Sequence, residues 1–187
     1  MIEAANPDAV VDALKAARSR RVGIDGIDGC GKSTLAKAIA TSLRCRVFCL
    51  DDYLDRDRGR FLEFIDYRRL RAEVSAETSY VIEGVCLLHA LDRAHLEIDA
   101  LVYVKRRHLG LWADERELNL DEPLEDFLKQ ERELTAMVAG ASEAATDLGL
   151  AEEIIRYHHT ARPHNNAHII YFRDERPPHT TRDRPAF

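Results

Sequence analysis

The chain is 187 residues long, 45% hydrophobic, with a formal net charge of −6. That length suits one domain, spanning 1–187, with a core of ordinary size. The acidic balance and interspersed charges exclude the basic stripe with which nucleic-acid binders neutralise phosphates, and no apolar run approaches the ~20 residues of a membrane span.

The N-terminal stretch MIEAANPDAVVDALKAARSR has no basic start followed by an apolar signal core, so a cytoplasmic protein is expected. Within it, PDAVVDALKAARS places Val10, Val11, Leu14 and Ala17 at helical spacing behind Pro7, which suits a first turn. RVGID then reads as a strand, followed by a glycine loop and by STLAKAIATSL, a helix with Leu35, Ala38, Ile39 and Leu43 on one face. CRVFCL is a buried strand that stops at Asp51-Asp52, and the charge-dense run to Arg60 is a loop. FLEFIDYRRLRAEVS suggests a helix, and SYVIEG and IDALVYVKR two more strands. From Arg106 to about Gly149 the chain reads as helix-forming, charged and strand-free, interrupted at Pro123 and Gly140. AEEIIRYHHTARP is a further helix, AHIIYF a fifth strand, and the Pro-rich tail 174–187 a surface or frayed segment. Short apolar strands alternating with helices predict an α/β, three-layer architecture: a five-stranded parallel sheet with helices on both faces.

Cys30, Cys45, Cys49 and Cys86 lack paired metal-ligand spacing and read as reduced, mostly buried thiols, with Cys30 open to an accessible-thiol reading. His158, His159, His164 and His168 are close in sequence, but their spacing does not converge on one face as a metal site requires. Trp112, Tyr103 and Tyr171 read as packing residues.

Gly26-Ile-Asp-Gly-Cys-Gly31-Lys32-Ser33 satisfies G-x-x-x-x-G-K-[ST] between a predicted strand and a predicted helix. In that context glycines let backbone N–H groups wrap a phosphate, the helix N-terminus adds partial positive charge, Lys32 reaches the outer phosphates, and the Ser33 hydroxyl suits Mg2+. Gly26, Asp28, Gly29, Cys30, Gly31, Lys32, Ser33 and Thr34 are therefore expected to bind ATP. The competing reading is a plain glycine turn. No N-K-x-D guanine motif is present, and Asp51, 19 residues after Lys32, reads either as the magnesium acid of an ATPase or as the acid facing the acceptor hydroxyl of a small-molecule kinase.

LDDYL, SYVIEGVCLL, FIDYRRLR and IIRYHHTARPHNNAHIIY follow the phosphate loop in an order that resembles the uridine kinase and phosphoribulokinase group of P-loop kinases, from Arg21 to Tyr171. The resemblance implies a P-loop NTPase fold with a lid, ATP and Mg2+ as cofactors, and transfer of the γ-phosphate to a hydroxyl of a small metabolite such as a nucleoside or sugar-like alcohol. It implies that Asp51 takes the hydroxyl proton and helps hold Mg2+, with Lys32 as its catalytic partner. Glu83 would hold a magnesium water, Asp66 a substrate hydroxyl, and Tyr53 would line the pocket. Asp52 reads as a cap on the turn, and Glu83 alternatively as a strand-end acid satisfied by neighbouring amides. The stretch 106–149 takes the place of the lid, with Arg106, Arg107, Arg116 and Arg132 as its arginines. It is longer and more acidic than the group's short lid, and each arginine reads equally as a solvated partner of a nearby Glu.

Two other functions stay open on the residues alone. A kinase with a phosphate acceptor would draw on Arg56, Arg58, Arg60, Arg68 and Arg69, and a nucleotide-operated switch would use the long helical stretch as a partner surface. Nothing in the sequence sets the oligomeric state.

Overall fold

A computed structural model describes residues 1–55, 60–140 and 147–174. Helix starts follow local capping chemistry. The Asn6 side chain accepts from the Ala9 N–H at 2.9 Å, with Pro7 in the first turn, and opens α1 (Pro7–Ala16). Strand β2 (Arg21–Asp25) leads through the glycine loop into α2 (Lys32–Leu43), and β3 (Arg46–Cys49) ends in a 3-10 turn, Leu50–Tyr53. The helix expected from Phe61 begins only at α3 (Tyr67–Val74). Ile65 is held in an antiparallel bridge to Leu54, and Asp66 caps the helix by accepting from the Arg69 N–H at 2.9 Å. After β4 (Tyr80–Glu83), a helix the sequence reading left unassigned, α4 (Leu87–Ala94), buries Leu87, Ala90, Leu91 and Ala94 at i, i+3, i+4, i+7 spacing.

The strand-free expectation for the next stretch is corrected. Strand β5 (Ala100–His108) turns through Leu109 and Gly110, both at positive φ (51° and 84°), into antiparallel β6 (Leu111–Trp112). This two-residue hairpin is too short to give a strand pattern in sequence. Helices α5 (Glu115–Leu118), α6 (Leu124–Ala139), α7 (Leu150–Ala161) and α8 (Pro163–Asn166) follow, and β7 (Ile169–Asp174) closes the sheet. The N-terminal Ile2–Ala4, β1, adds a parallel edge strand on β7. The sheet therefore has seven strands rather than five, in the order β1-β7-β5-β2-β4-β3 with β6 paired to β5.

Strand alternation sorts the core between the two faces. Val22, Ile24, Val102 and Val104 pack under α1 and α2, while Phe48, Ile82, Leu101 and Tyr103 pack under α3, α4 and α7. Within the expected lid segment, α6 packs against α7. Phe127 and Leu128 of α6 pack against Ile155 of α7, and two ion pairs bridge the helices, Arg132 to Glu152 and Arg156 to Glu125, both at 2.7 Å. No helix among the described residues is long and apolar enough to cross a membrane. Arg56, Arg58 and all of the tail after Asp174 lie outside the described residues.

Candidate active site

Parallel pairing places three strand ends side by side. Glu83 of β4 is in register with Ile24 of β2 on one side and with Cys49 of β3 on the other. The phosphate loop after β2, the Glu83 carboxylate and the turn that begins at Leu50 therefore open on the same edge of the sheet, where ligands bind in open α/β folds. A cleft of about 510 Å3 lies there, lined by Asp28, Gly29, Gly31, Lys32, Ser33, Thr34, Asp51, Leu54, Phe61, Glu83, Gly84, Val85, Leu150 and Arg173.

The loop's conformation depends on glycine at two positions. Gly31 sits at φ 97° and Gly26 at φ 147°; a Cβ on Gly26 would stand 2.8 Å from the Cys30 sulfur and 3.0 Å from the Val104 carbonyl oxygen. Cys30 is thus fully buried beneath the loop, and burial raises its thiol pKa, so the accessible-thiol reading does not fit. Only the backbone at Cys30 is placed to serve a phosphate. Lys32 folds back to donate from Nζ to the Ile27 carbonyl at 2.7 Å, and Asp28 accepts from the Gly29 N–H at 2.8 Å.

Of the two adjacent acids, Asp51 lines the cleft and Asp52 does not. Burial and then the neighbouring Glu83 charge raise the Asp51 pKa, while Lys32 opposes the shift. Glu83 is buried, 2% exposed. Burial and a hydrogen bond with Glu83 push the Cys49 thiol up to about 12, which keeps it protonated beside the carboxylate.

Tyr53 and Asp66 do not line the cleft. The Tyr53 hydroxyl donates to Glu73 at 2.8 Å under the Arg69 guanidinium, and Asp66 is spent on the α3 cap. The lid arginines are also elsewhere. Arg107 grips Asp174 through Nε and Nη2 at 2.9 and 3.1 Å, Arg106 pairs with buried Asp114, and Arg116 is exposed by the β6–α5 groove.

Two residues of the site escaped the sequence reading. Arg173, at the end of β7, donates to the Gly29 carbonyl at 3.0 Å and lies against Gly31. With Lys32 it is one of two cations lining the cleft among the described residues. Its signal was weak: a lone arginine after an apolar strand. Asp25 ends β2 with no exposure, accepting from the Gly26 N–H at 2.7 Å and from the Tyr157 hydroxyl. Burial pushes its pKa up to about 7 against those hydrogen bonds and Lys32. An acid closing an apolar strand just before the loop was its only trace in sequence.

The residues present fit a nucleotide with magnesium. The loop offers backbone donors at a helix start, and a Ser hydroxyl with two carboxylates gives the hard oxygen donors Mg2+ prefers. Among the described residues no group of three or more His, Cys, Asp or Glu side chains forms a metal cage. Mg2+ commonly relies on one or two protein oxygens and the substrate's phosphates, so the donor set is of the right kind. The histidines are engaged differently. His158 Nδ1 donates to the Ile154 carbonyl and its Nε2 accepts from Tyr103 at 2.9 Å, His168 Nδ1 accepts from the Leu101 N–H, and both His164 nitrogens are buried with no hydrogen-bond partner among the described residues.

No protein-family model and no curated protein matches the chain. Among solved structures it is similar to shikimate kinase from Bacteroides thetaiotaomicron, at 19% identity over 82% of this chain and 86% of that one, TM-score 0.41. It is also similar to an uncharacterized protein from Eubacterium ventriosum ATCC 27560, at 13% identity over 82% and 88% of the two chains, TM-score 0.39. At these identities and scores, function is read from the site's own geometry.

Proposed function

We propose that the chain, as a single domain, is an ATP-dependent phosphotransferase that moves the γ-phosphate to a hydroxyl of a small metabolite, in the manner of the uridine kinase group. The observation that carries this reading is the convergence of Lys32, Ser33, Asp51 and Glu83 on one cleft. Phosphoryl transfer needs mainly positioning and charge compensation, and these four groups supply both.

ATP would lie with its phosphates along Gly26–Thr34, and Mg2+ would be held by the Ser33 hydroxyl with Glu83 and Asp51 close by. Bound there, the metal neutralises charge on the transferring phosphoryl group. Lys32 leaves the Ile27 carbonyl to meet the outer phosphates. Asp51 accepts the proton of the attacking hydroxyl, and its raised pKa makes it a better base than an ordinary aspartate. Arg173 takes the position the lid arginines were expected to fill. Leu54, Phe61, Val85 and Leu150 give the acceptor an apolar wall beside Asp51. Tyr53 and Asp66 hold that wall from behind, one through Glu73 and one by fixing α3.

A free hydroxyl is favoured over a phosphate acceptor because the described arginines of that region are committed or remote. Arg60 pairs with Glu63 at 3.6 Å, Arg69 with Glu73 at 3.0 Å, and Arg68 lines a different groove. The test is ADP release with nucleosides, pantothenate-like alcohols and pentose phosphates as acceptors. A new phosphoester on a free hydroxyl supports the reading; a phosphoanhydride product, or ATP hydrolysis that no acceptor stimulates, overturns it.

A further inference from the structure

Helices α3 and α4 flank an open surface groove of about 500 Å3, lined by Tyr67, Arg68, Arg71, Ala72, Ser75, Arg93, Ala94 and His95. Residues 67, 68, 71, 72 and 75 share one face of α3 by their i, i+1, i+4, i+5, i+8 spacing. In a chain of net charge −6, this groove gathers three guanidinium groups, an imidazole and two hydroxyls, and no carboxylate lines it among the described residues. The arginines at the opposite face of α3 are neutralised: Arg69 by Glu73, Arg46 by Glu73 and Glu77. Arg68, Arg71 and His95 have no hydrogen bond or ion pair from their side chains among the described residues. Arg93 also faces Glu63, Asp147, Glu152 and Glu153 on its other side, so the charge left for an external anion on this open groove is that of Arg68, Arg71 and His95.

The groove meets the wall of the catalytic cleft through the backbone of Phe61 and Leu62. Arg93 Nη1 donates to the Leu62 carbonyl at 3.0 Å and the Tyr67 hydroxyl donates to the same oxygen at 2.6 Å. On its other side, the N–H groups of Phe61 and Leu62 both donate to Glu153 at 2.9 Å, and Phe61 is part of the cleft wall.

We propose that the α3–α4 groove binds a small phosphate-bearing anion through Arg68, Arg71 and Arg93, and that its occupancy is felt at the Phe61 wall of the cleft through Leu62. Phosphate suits the site because guanidinium forks pair with its oxygens two at a time, while Tyr67 and Ser75 can donate to those left over. An anion that draws Arg93 into the groove competes with the Leu62 carbonyl for its Nη1 donor. The inference is independent of the proposed transferase activity, since it concerns binding outside the cleft.

Calorimetric titration of the full chain with inorganic pyrophosphate and, separately, glucose 6-phosphate at fixed ionic strength tests it, the two probes distinguishing an inorganic from an organic source. Arg68→Gln/Arg71→Gln, both at exposed helix positions, is expected to weaken binding of whichever probe binds by at least tenfold, whereas Lys32→Ala retains it. Hydrogen exchange at the Phe61 and Leu62 amides is expected to change on probe addition in the parent chain and not in the double variant. Absence of saturable binding by both probes, or binding lost in Lys32→Ala and kept in the double variant, overturns the proposal, the latter placing the anion on the phosphate loop. Unchanged exchange at Phe61 and Leu62 in the bound chain overturns the link to the cleft.

Discussion

Replacing Tyr157 by Phe removes one oxygen atom and two hydrogen bonds, the one its hydroxyl donates to Asp25 and the one it accepts from the Leu88 N–H at 3.1 Å. All three groups sit against the base of the phosphate loop, where Asp25 also fixes the Gly26 N–H. Losing a donor to a buried carboxylate and stranding a buried amide together cost on the order of 2–4 kcal/mol. For a chain of this length that lowers the melting temperature by roughly 5–15 °C. The cost should depend on pH in a defined direction. Asp25 has a folded pKa of about 7, against an ordinary value of 3.8. Between about pH 4 and pH 7 the native state keeps a proton that the unfolded chain has released, so this group alone makes stability fall as pH rises through that window and then level off. The Tyr157 hydroxyl moderates the fall, because its hydrogen bond is stronger to the carboxylate than to the acid. Urea unfolding of parent and Tyr157→Phe at pH 5 and pH 8 should therefore show a larger penalty at pH 8. Equal penalties at both pH values, or a penalty below about 0.5 kcal/mol, would refute the assignment of Tyr157 as the donor that holds Asp25.

Asp51→Asn should lower transfer to the acceptor by about 100-fold or more while ATP affinity, measured by equilibrium titration, stays within about threefold; near-parent transfer would remove Asp51 as the base. Arg173→Ala should cost about 100-fold in kcat/KM, with Arg173→Lys recovering only part, since an ammonium lacks the second guanidinium nitrogen that can face a phosphate while Nη1 holds the Gly29 carbonyl; an unchanged kcat/KM would show that Arg173 only braces Gly29. His164→Phe removes two buried nitrogens that have no hydrogen-bond partner among the described residues, so thermal unfolding at pH 7 should show no loss, or a gain of about 1 kcal/mol. Burial holds His164 down at about 4, below the 6.5 of an exposed histidine, so the parent loses stability as pH falls from about 6.5 to 4, and the variant's acid limb should be shallower. An identical acid limb in both proteins would contradict that placement.

The sequence made the proposed donor half of the site legible because each of its signals is local. A phosphate loop needs glycine at fixed offsets, a lysine and a hydroxyl, all within Gly26–Ser33, and the strand ends carrying Asp51 and Glu83 are contiguous apolar runs stopped by an acid. What escaped is non-local. Arg173 reaches Gly29 across 144 residues and Tyr157 reaches Asp25 across 132, and neither pairing leaves a spacing that a single sequence can show. Strands β1 and β6, of three and two residues, owe their existence to partners in β7 and β5 rather than to their own composition. The expected lid shows a different limit: its charge pattern reads as amphipathic helix, which α6 is, but its first residues continue β5 and turn into β6, and amphipathicity does not say which surface an apolar face will find. Phe127 and Leu128 found Ile155 on α7, and α7 is the helix whose Tyr157 holds Asp25 and whose Glu153 holds the Phe61 wall. Helix α6 of that segment is thus connected to the site through α7.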